Sequence, residues 1–288
     1  MIPPAFDYAL PKTLTEAVAL LGEHPGAKIL AGGHSLLPLM KFRLAQPALL
    51  VDINQLKGLA YIRESGGWLR IGAMTREADL EHSDLIRTRY PLLADTTRLI
   101  ADPLVRNLAT FGGNLAHADP ANDHPAAVLA LNGQVVAVGP NGERVIPIEE
   151  FFVGLFESAL QHDEILTEVR IPTAKPRSGG AYMKMERKVG DFATAAVAAQ
   201  VSLDEQGHCV TAGLGLTNMG LMPIKAVAAE QSLAGLPLDD AHIRQAAQLA
   251  SEVAEPSADR RGSEDYKRSL VRTLTVRALR SAAARARA

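Results

Sequence analysis

Two short segments carry the residue types that could do chemistry in this chain: Ala31-Gly32-Gly33-His34-Ser35, reached from Ile29-Leu30, and Thr110-Phe111-Gly112-Gly113-Asn114. Each sets a Gly-Gly pair beside small polar side chains where an apolar run gives way to a tight loop. Glycine admits positive φ and close backbone approach to a ligand, and successive N–H groups in such a turn form a concave set of donors for phosphate oxygens. Two such loops suit a diphosphate gripped from both sides, so a dinucleotide is the first ligand expected. The backbone N–H groups of Gly32, Gly33 and Gly113 are the expected phosphate donors, with Ser35, Thr110 and Asn114 supplying side-chain hydrogen bonds. Neither loop has the Gly-x-Gly-x-x-Gly spacing of a Rossmann fingerprint, and no P-loop Gly-Lys-Ser or Gly-Lys-Thr occurs. His34 and His117 adjoin the loops without a third ligand at metal-site spacing, so ordinary hydrogen bonding or cofactor packing is expected of them and no metal is assigned. Asp119, Asp123 and His124 have no Ser or Cys nucleophile in an elbow context, and Asp119 before Pro120 reads as a turn cap. No catalytic residue is assigned.

The loops must be set in place by the elements around them. Leu14, Ala17, Val18 and Leu21 have helical spacing between Pro11 and Gly22, with Thr13 as N-cap before Glu16. Lys28 to Ala31 reads as a strand running into the first loop, and Leu49 to Ile53 as the next strand. Trp68 to Ala73 alternates like a half-buried strand, a helix capped by Thr75 follows to Leu80, and Pro91 to Ile100 reads as a packed helix. The second loop leads toward a buried helix from His124 to Leu131. Gln134 to Val138 and Arg144 to Pro147 form a hairpin around Gly139-Pro140-Asn141-Gly142, and Glu164 to Pro172 is a further strand. Thr173 to Gly180 reads as a linker. Beyond it, strands at Ala193 to Leu203 and His208 to Leu216 precede helices at Pro223 to Leu233, Asp239 to Val253 and Glu264 to Arg287. That order predicts a sheet covered on one face, the last helix docking with a basic outer side.

Composition narrows the partners. The 288 residues are 47% hydrophobic and 22% charged, enough for two or three compact units. A net charge of −2 gives no long-range pull on nucleic acid or anionic lipid, so an anion must be held by local donors. Cys209 is the only cysteine, which excludes an intramolecular disulfide and a cysteine-ligated iron-sulfur cluster built within this chain. Met1-Ile2-Pro3-Pro4 is no secretory signal, and no eighteen apolar residues run uninterrupted, so a cytoplasmic protein without an integral membrane segment is expected.

The run from Thr110 through Asn114-Leu115-Ala116-His117-Ala118-Asp119-Pro120-Ala121-Asn122-Asp123-His124-Pro125 carries a resemblance. Together with Phe6-Asp7-Tyr8, Lys184-Met185-Glu186-Arg187-Lys188-Val189-Gly190-Asp191 and Arg261-Gly262-Ser263, it resembles the FAD-binding medium subunits of molybdenum hydroxylases of the xanthine dehydrogenase type. The likeness spans essentially the whole chain. It is nearest to the medium subunits of carbon monoxide dehydrogenases, with those of N-heteroaromatic hydroxylases such as quinoline 2-oxidoreductase next.

This resemblance implies an α+β protein: a two-part N-terminal α/β FAD-binding domain of the PCMH/vanillyl-alcohol-oxidase type, residues 1–176 with parts at about 1–57 and 58–176, then a C-terminal domain, residues 177–288, with a three-stranded antiparallel sheet and helices. FAD would lie between them. Carried over residue by residue, it assigns cofactor contacts to Ile29, Leu30, Ala31, Gly32, Gly33, His34, Ser35 and Leu36 in the first motif. Around the second it assigns them to Ile100, Thr110, Gly112, Gly113, Asn114, Ala116 and His117. Asp123 matches an acidic FAD contact, Leu166 a strand residue lining the cofactor and Lys184 a flavin-side lysine. Phe192 stands after Gly190-Asp191 where the family pattern has Tyr; a stacked ring survives that change, a hydroxyl hydrogen bond does not, and a core aromatic is the other reading.

The resemblance further implies partners: a large subunit holding the molybdenum cofactor and oxidising substrate, and a small subunit holding iron-sulfur clusters, in a dimer of heterotrimers. FAD would pass electrons to an external acceptor: a quinone, a cytochrome or NAD. The complex would oxidise carbon monoxide or an N-heteroaromatic compound, either free in the cytoplasm or held to the inner face of the membrane through partners. A free-standing FAD-dependent oxidoreductase is the alternative, and it would need an acid-base pair at the flavin that the sequence does not display.

Overall fold

A computed structural model describes residues 2–288. Thr13 caps the first helix as its type suggests: its hydroxyl accepts the Glu16 N–H at 3.1 Å. The helix Leu14–Glu23 turns Ala17, Val18 and Leu21 onto a small parallel sheet in which Leu49–Asp52 lies between Asp7–Ala9 and Ala27–Leu30. This first part delivers the chain from Leu30 into the first Gly-Gly segment.

The second part is a five-stranded antiparallel sheet in the order Ile62–Ser65, Trp68–Gly72, Ile165–Pro172, Gln134–Gly139, Gly142–Pro147. Leu69, Ile71, Val135, Ala137, Val169 and Ile171 share one core with residues of the helices Glu77–His82, Pro91–Arg98, Phe111–Ala116 and Asp123–Ala130. In the last part Ser178–Met185, Ala195–Leu203 and Cys209–Thr217 pair antiparallel, with Ile224–Lys225 as a two-residue edge. The expected α+β class and its three long C-terminal strands are present.

The expected one-sided cover of that sheet is not. Ala195, Val197, Ala199 and Val201 of the middle strand pack with the helices Asp240–Glu252 and Glu264–Arg287. Ala196 and Ala198, on the opposite face, join the core of the N-terminal part. The helix Asp123–Ala130 lies so close on that face that a Cβ at Gly213 or Gly215 would stand 1.9 Å from Ala130 O or 2.0 Å from Ala126 O. Small residues run along these strands because both faces are covered.

The connecting stretch is shorter than the expected Thr173 to Gly180, since the strand ends at Pro172 and Ser178 already begins the next. A Cβ at Gly179 would stand 2.3 Å from Ala282 O and one at Gly180 2.8 Å from Leu92 Cβ, so these glycines admit neighbouring helices and do not loosen the chain. Thr75 is buried, and its hydroxyl bonds the Tyr61 backbone at 3.1 Å; the next helix therefore starts two residues later, at Glu77. Pro223 to Leu233 is not one helix but the edge strand followed by Val227–Gln231.

At the centre of the five-stranded sheet Glu168, 5% exposed, accepts from Tyr61 Oη, from Arg70 Nη2 at 2.9 Å and from Arg170 Nε. Burial pushes its carboxyl up, but these donors outweigh burial and hold it below the usual range; burial and Glu168 together push the Tyr61 phenol up to about 12. A carboxyl depressed on folding adds stability that is full above its unfolded value and lost as pH falls through the folded one. Urea unfolding of the unaltered protein should therefore lose stability below about pH 5. Glu168→Gln should be less stable at pH 7 and show a flatter acid limb.

Candidate cofactor site

The first glycine segment is an open donor set. Gly33 takes φ +74°, and the chain turns through His34 and Ser35 into the short helix Leu36–Lys41. Among the described residues, none of the backbone N–H groups of Gly32, Gly33, His34, Ser35 and Leu36 donates to an acceptor in the protein. Five consecutive donors without a protein acceptor, around a glycine at positive φ, are the kind of backbone arrangement that can bind an anion. His34 folds its ring back, Nδ1 lying 2.8 Å from Gly32 O. Ile29, Leu30, Ala31, Ser35 and Leu36 are half-buried along this edge.

The second segment is not a loop. Phe111–Ala116 is helical, and Thr110 caps it by accepting the Gly113 N–H at 3.2 Å. Phe111, Gly112 and Asn114 donate their N–H groups to Thr75 O, Ala73 O and Thr110 O at 2.9 to 3.0 Å. The Gly113 N–H expected to meet phosphate is thus committed within the protein. Gly112 is glycine for packing, since a Cβ there would stand 2.5 Å from Ala73 Cβ. What this segment offers a ligand is Asn114, whose Oδ1 is buried and has no partner. Beneath the helix, Phe111 sets its edge on His124 at 4.6 Å and 86°, and His124 Nε2 lies 2.7 Å from the equally buried Glu77 carboxylate.

The two segments meet. A Cβ at Gly32 would stand 2.5 Å from Leu108 O and 2.7 Å from Ala109 Cα, and one at Gly113 4.0 Å from Ala31 Cβ. Side chains absent from the sequence reading of the site hold this junction. Tyr8 Oη donates to Asp52 Oδ2 at 2.7 Å, Asn54 Nδ2 to both Asp52 Oδ1 and Ala31 O at 2.7 Å, and Arg76 to Asn54 Oδ1 at 2.8 Å and to Leu108 O. Only Tyr8, within the Phe6-Asp7-Tyr8 motif, carried any signal.

Asp123 and Lys184 are brought together as well. Asn122 Nδ2 donates to Asn114 O at 2.8 Å, placing the start of the helix Asp123–Ala130 beside the second segment. Asp123 Oδ1 accepts from Tyr182 Oη at 2.7 Å and Oδ2 from Lys184 Nζ at 2.9 Å; Lys184 Nζ also donates to Leu99 O at 2.9 Å, next to the buried Ile100. Burial pushes the Asp123 carboxyl up, opposed by the Lys184 ammonium and the Tyr182 hydroxyl. Lys184 and Asp123, expected from the sequence as a flavin-side lysine and an acidic contact, thus pair with each other, and Glu186 lies 3.4 Å from the same ammonium.

Leu166 is buried in the sheet one residue before Thr167, whose carbonyl accepts from Ala73 N–H at 2.9 Å, so it backs the second segment. Ala116 ends the short helix, and His117 lies 5.3 Å from the Phe156 ring; burial lowers its pKa and Asp119, 4.0 Å away, opposes the shift. Phe192 is 48% exposed and belongs to no core cluster, which removes the core-aromatic reading. It follows Asp191, which Arg261 pairs at 3.1 Å, so two of the C-terminal motif pieces touch.

The donor set fits a phosphate-bearing polyol. The free N–H cradle matches a diphosphate, and the orphaned Asn114 amide oxygen can accept a hydroxyl. A separate concavity of about 530 Å³ between the helices Asp240–Glu252 and Glu264–Arg287, walled by Arg244, Arg272, Arg277 and Arg280, shares no residue with this cleft.

An α+β chain that joins a parallel-sheet part and a five-stranded antiparallel sheet to a further antiparallel sheet packed with helices has the architecture of a class of flavoproteins. The chain belongs to the family described as FAD binding domain in molybdopterin dehydrogenase, whose profile matches residues 4–174; that of the CO dehydrogenase flavoprotein C-terminal domain matches 180–282. It is similar to the carbon monoxide dehydrogenase medium chain of Hydrogenophaga pseudoflava, 44% identical over 99% of each chain. Its fold matches the carbon monoxide dehydrogenase of that organism lacking the Mo-pyranopterin moiety of its cofactor, with TM-score 0.96, 45% identity and 99% of each chain covered. It also matches quinoline 2-oxidoreductase of Pseudomonas putida 86, with TM-score 0.93, 34% identity and 99% of each chain covered.

Gly33→Val puts a β-branched residue at φ +74° and against Leu37, so it should strip FAD from a chain that still folds. Gly112→Val, aimed into Ala73, should fail to fold. Flavin absorbance per chain and thermal melts separate the two, and a folded Gly33→Val protein with full flavin would remove the first loop from the site. Lys184→Met strands a buried carboxylate and should cost about 3–5 kcal/mol in denaturant titrations, partly restored by Asp123→Asn.

Proposed function

We propose that this chain is the FAD-carrying electron-transfer subunit of a molybdenum hydroxylase, taking electrons from iron-sulfur clusters on a small partner and delivering them to an external acceptor. The observation that carries the reading is the row of five free peptide N–H groups from Gly32 to Leu36. Bound there, FAD supplies a group that accepts single electrons and releases a pair. Residues 1–176 hold the diphosphate on the first loop and orient the ribityl chain with Asn114, and residues 177–288 close the other side through Lys184 and Tyr182.

The reading assigns no substrate step to this chain. Cys209 is buried with its thiol pushed up to about 11, so it serves neither as cluster ligand nor as nucleophile. Asp123 and Lys184 pair at 2.9 Å, with Glu186 a further 3.4 Å from the Lys184 ammonium, so the lysine is held among carboxylates as a positioned charge. Substrate oxidation therefore belongs to a large molybdenum-cofactor subunit, in a dimer of heterotrimers. The names of its relatives put carbon monoxide and an N-heteroaromatic ring first among substrates. No helix among the described residues is long and apolar enough to cross a membrane; a cytoplasmic complex, reaching the membrane's inner face only through partners, fits.

Purified from its own host, the protein should be yellow with one FAD per chain. Native mass spectrometry should find it with a large and a small chain, while the isolated chain should be reduced by dithionite but not by carbon monoxide or quinoline. A colourless chain that FAD cannot reconstitute, or turnover by the isolated chain, overturns the reading.

A further inference from the structure

The cradle works only while Gly32 stays seated on Leu108 and Ala109, two stretches of chain that meet through no shared strand. We propose that Arg76 is the positioning residue of the diphosphate cleft, its guanidinium fork pinning the first glycine loop to the segment entering the second and placing a positive charge, with no carboxylate at ion-pair distance, on the wall against which Gly32 rests. This rests on the FAD reading above.

One guanidinium reaches both walls. Arg76 Nη1 donates to Leu108 O, the atom that a side chain at Gly32 would strike; Nη2 donates to Asn54 Oδ1 at 2.8 Å, and Asn54 Nδ2 passes the link on to Ala31 O at 2.7 Å. The amide cannot flip without aiming its oxygen at two acceptors, Ala31 O and Asp52 Oδ1. Asp52 is itself held by the Tyr8 hydroxyl and the Asn54 N–H at 2.7 and 2.8 Å. A lysine has the charge but not the fork, so it cannot reach both acceptors at once.

The guanidinium swings from a fixed base. The Arg76 N–H is taken by Asp79 Oδ2 at 3.3 Å and the Glu77 N–H by Ala109 O at 3.0 Å, while the Glu77 carboxylate reaches the opposite way to His124. The helix that follows therefore starts without help from the Arg76 side chain. No carboxylate lies within ion-pair distance of Arg76 among the described residues, and burial lowers its pKa, with Asp79 and Asp52 opposing at longer range. In a chain of net charge −2, a half-buried arginine without an ion pair beside a row of phosphate-type donors is a counter-charge in place.

The test uses the full-length chain with its partners, deflavinated and titrated with FAD by fluorescence quenching at several salt concentrations. Arg76→Gln should weaken FAD binding on the order of 100-fold and flatten the dependence of log Kd on log salt. Arg76→Lys should lose on the order of 10-fold with the slope of the unaltered protein, because charge remains and the fork is gone. Asn54→Leu, which leaves Arg76 intact, should likewise lose affinity at an unchanged slope, and it serves if Arg76→Gln does not fold. FAD affinity within threefold of the unaltered protein in the folded variants, or a loss in Arg76→Gln with an unchanged salt slope, overturns the proposal. If the unaltered protein binds FAD and these variants bind it equally, this inference falls alone; if the unaltered protein takes up no FAD, both readings fall.

Discussion

Peptide N–H groups that find no acceptor within a protein must be met by water or by a ligand, and a row of five in one loop is stable only where the surrounding chain prevents it from curling onto its own carbonyls. Everything near Gly32 enforces this. The segment ahead of it is a strand pinned in a parallel sheet, the segment behind it enters a helix at once, and Leu108 and Ala109 press from the side where a Cβ would be. Gly33 supplies the positive φ that lets the chain turn here. The loop is therefore built mainly from backbone, which suits an anion in a chain whose overall charge does not attract one.

The second glycine pair does a different job from the first. Its N–H groups are consumed by Ala73, Thr75 and Thr110, and Gly112 is present so that a short helix can lie flat on the strand end at Ala73. Two Gly-Gly dipeptides of like appearance thus differ in use: one leaves its N–H groups free, the other allows the wall beside them to come close. The buried Glu77–His124 pair and the edge of Phe111 hold that wall from beneath.

Much of this was legible in the residues. The Thr13 cap, the strands feeding the first loop, the hairpin around Pro140-Asn141 and the long terminal helix follow from local pattern and stand in the structure. The failures share a cause. Gly179-Gly180 reads as a flexible link and is a strand, because composition alone does not tell a glycine that frees the chain from one that admits a neighbour. Thr75 reads as a cap and is a buried tie to Tyr61. Asp52, Asn54 and Arg76 carry no periodicity, since the contacts that tie them into the junction reach Tyr8, Ala31 and, from Arg76, Asn54, 22 to 44 residues away. Asp123 and Lys184 stood out in the sequence as separate residues; that they pair across 61 residues was not legible there.

The helix Asp123–Ala130 is a party wall: one side belongs to the N-terminal core, while its backbone lies against Gly213 and Gly215 of the C-terminal sheet, and its first residue is bolted to Lys184. Swinging the two domains apart would bare apolar surface on both and unpair a buried ion. The junction is therefore built as a fixed seam, in which apolar packing and a buried charge pair both oppose a hinge.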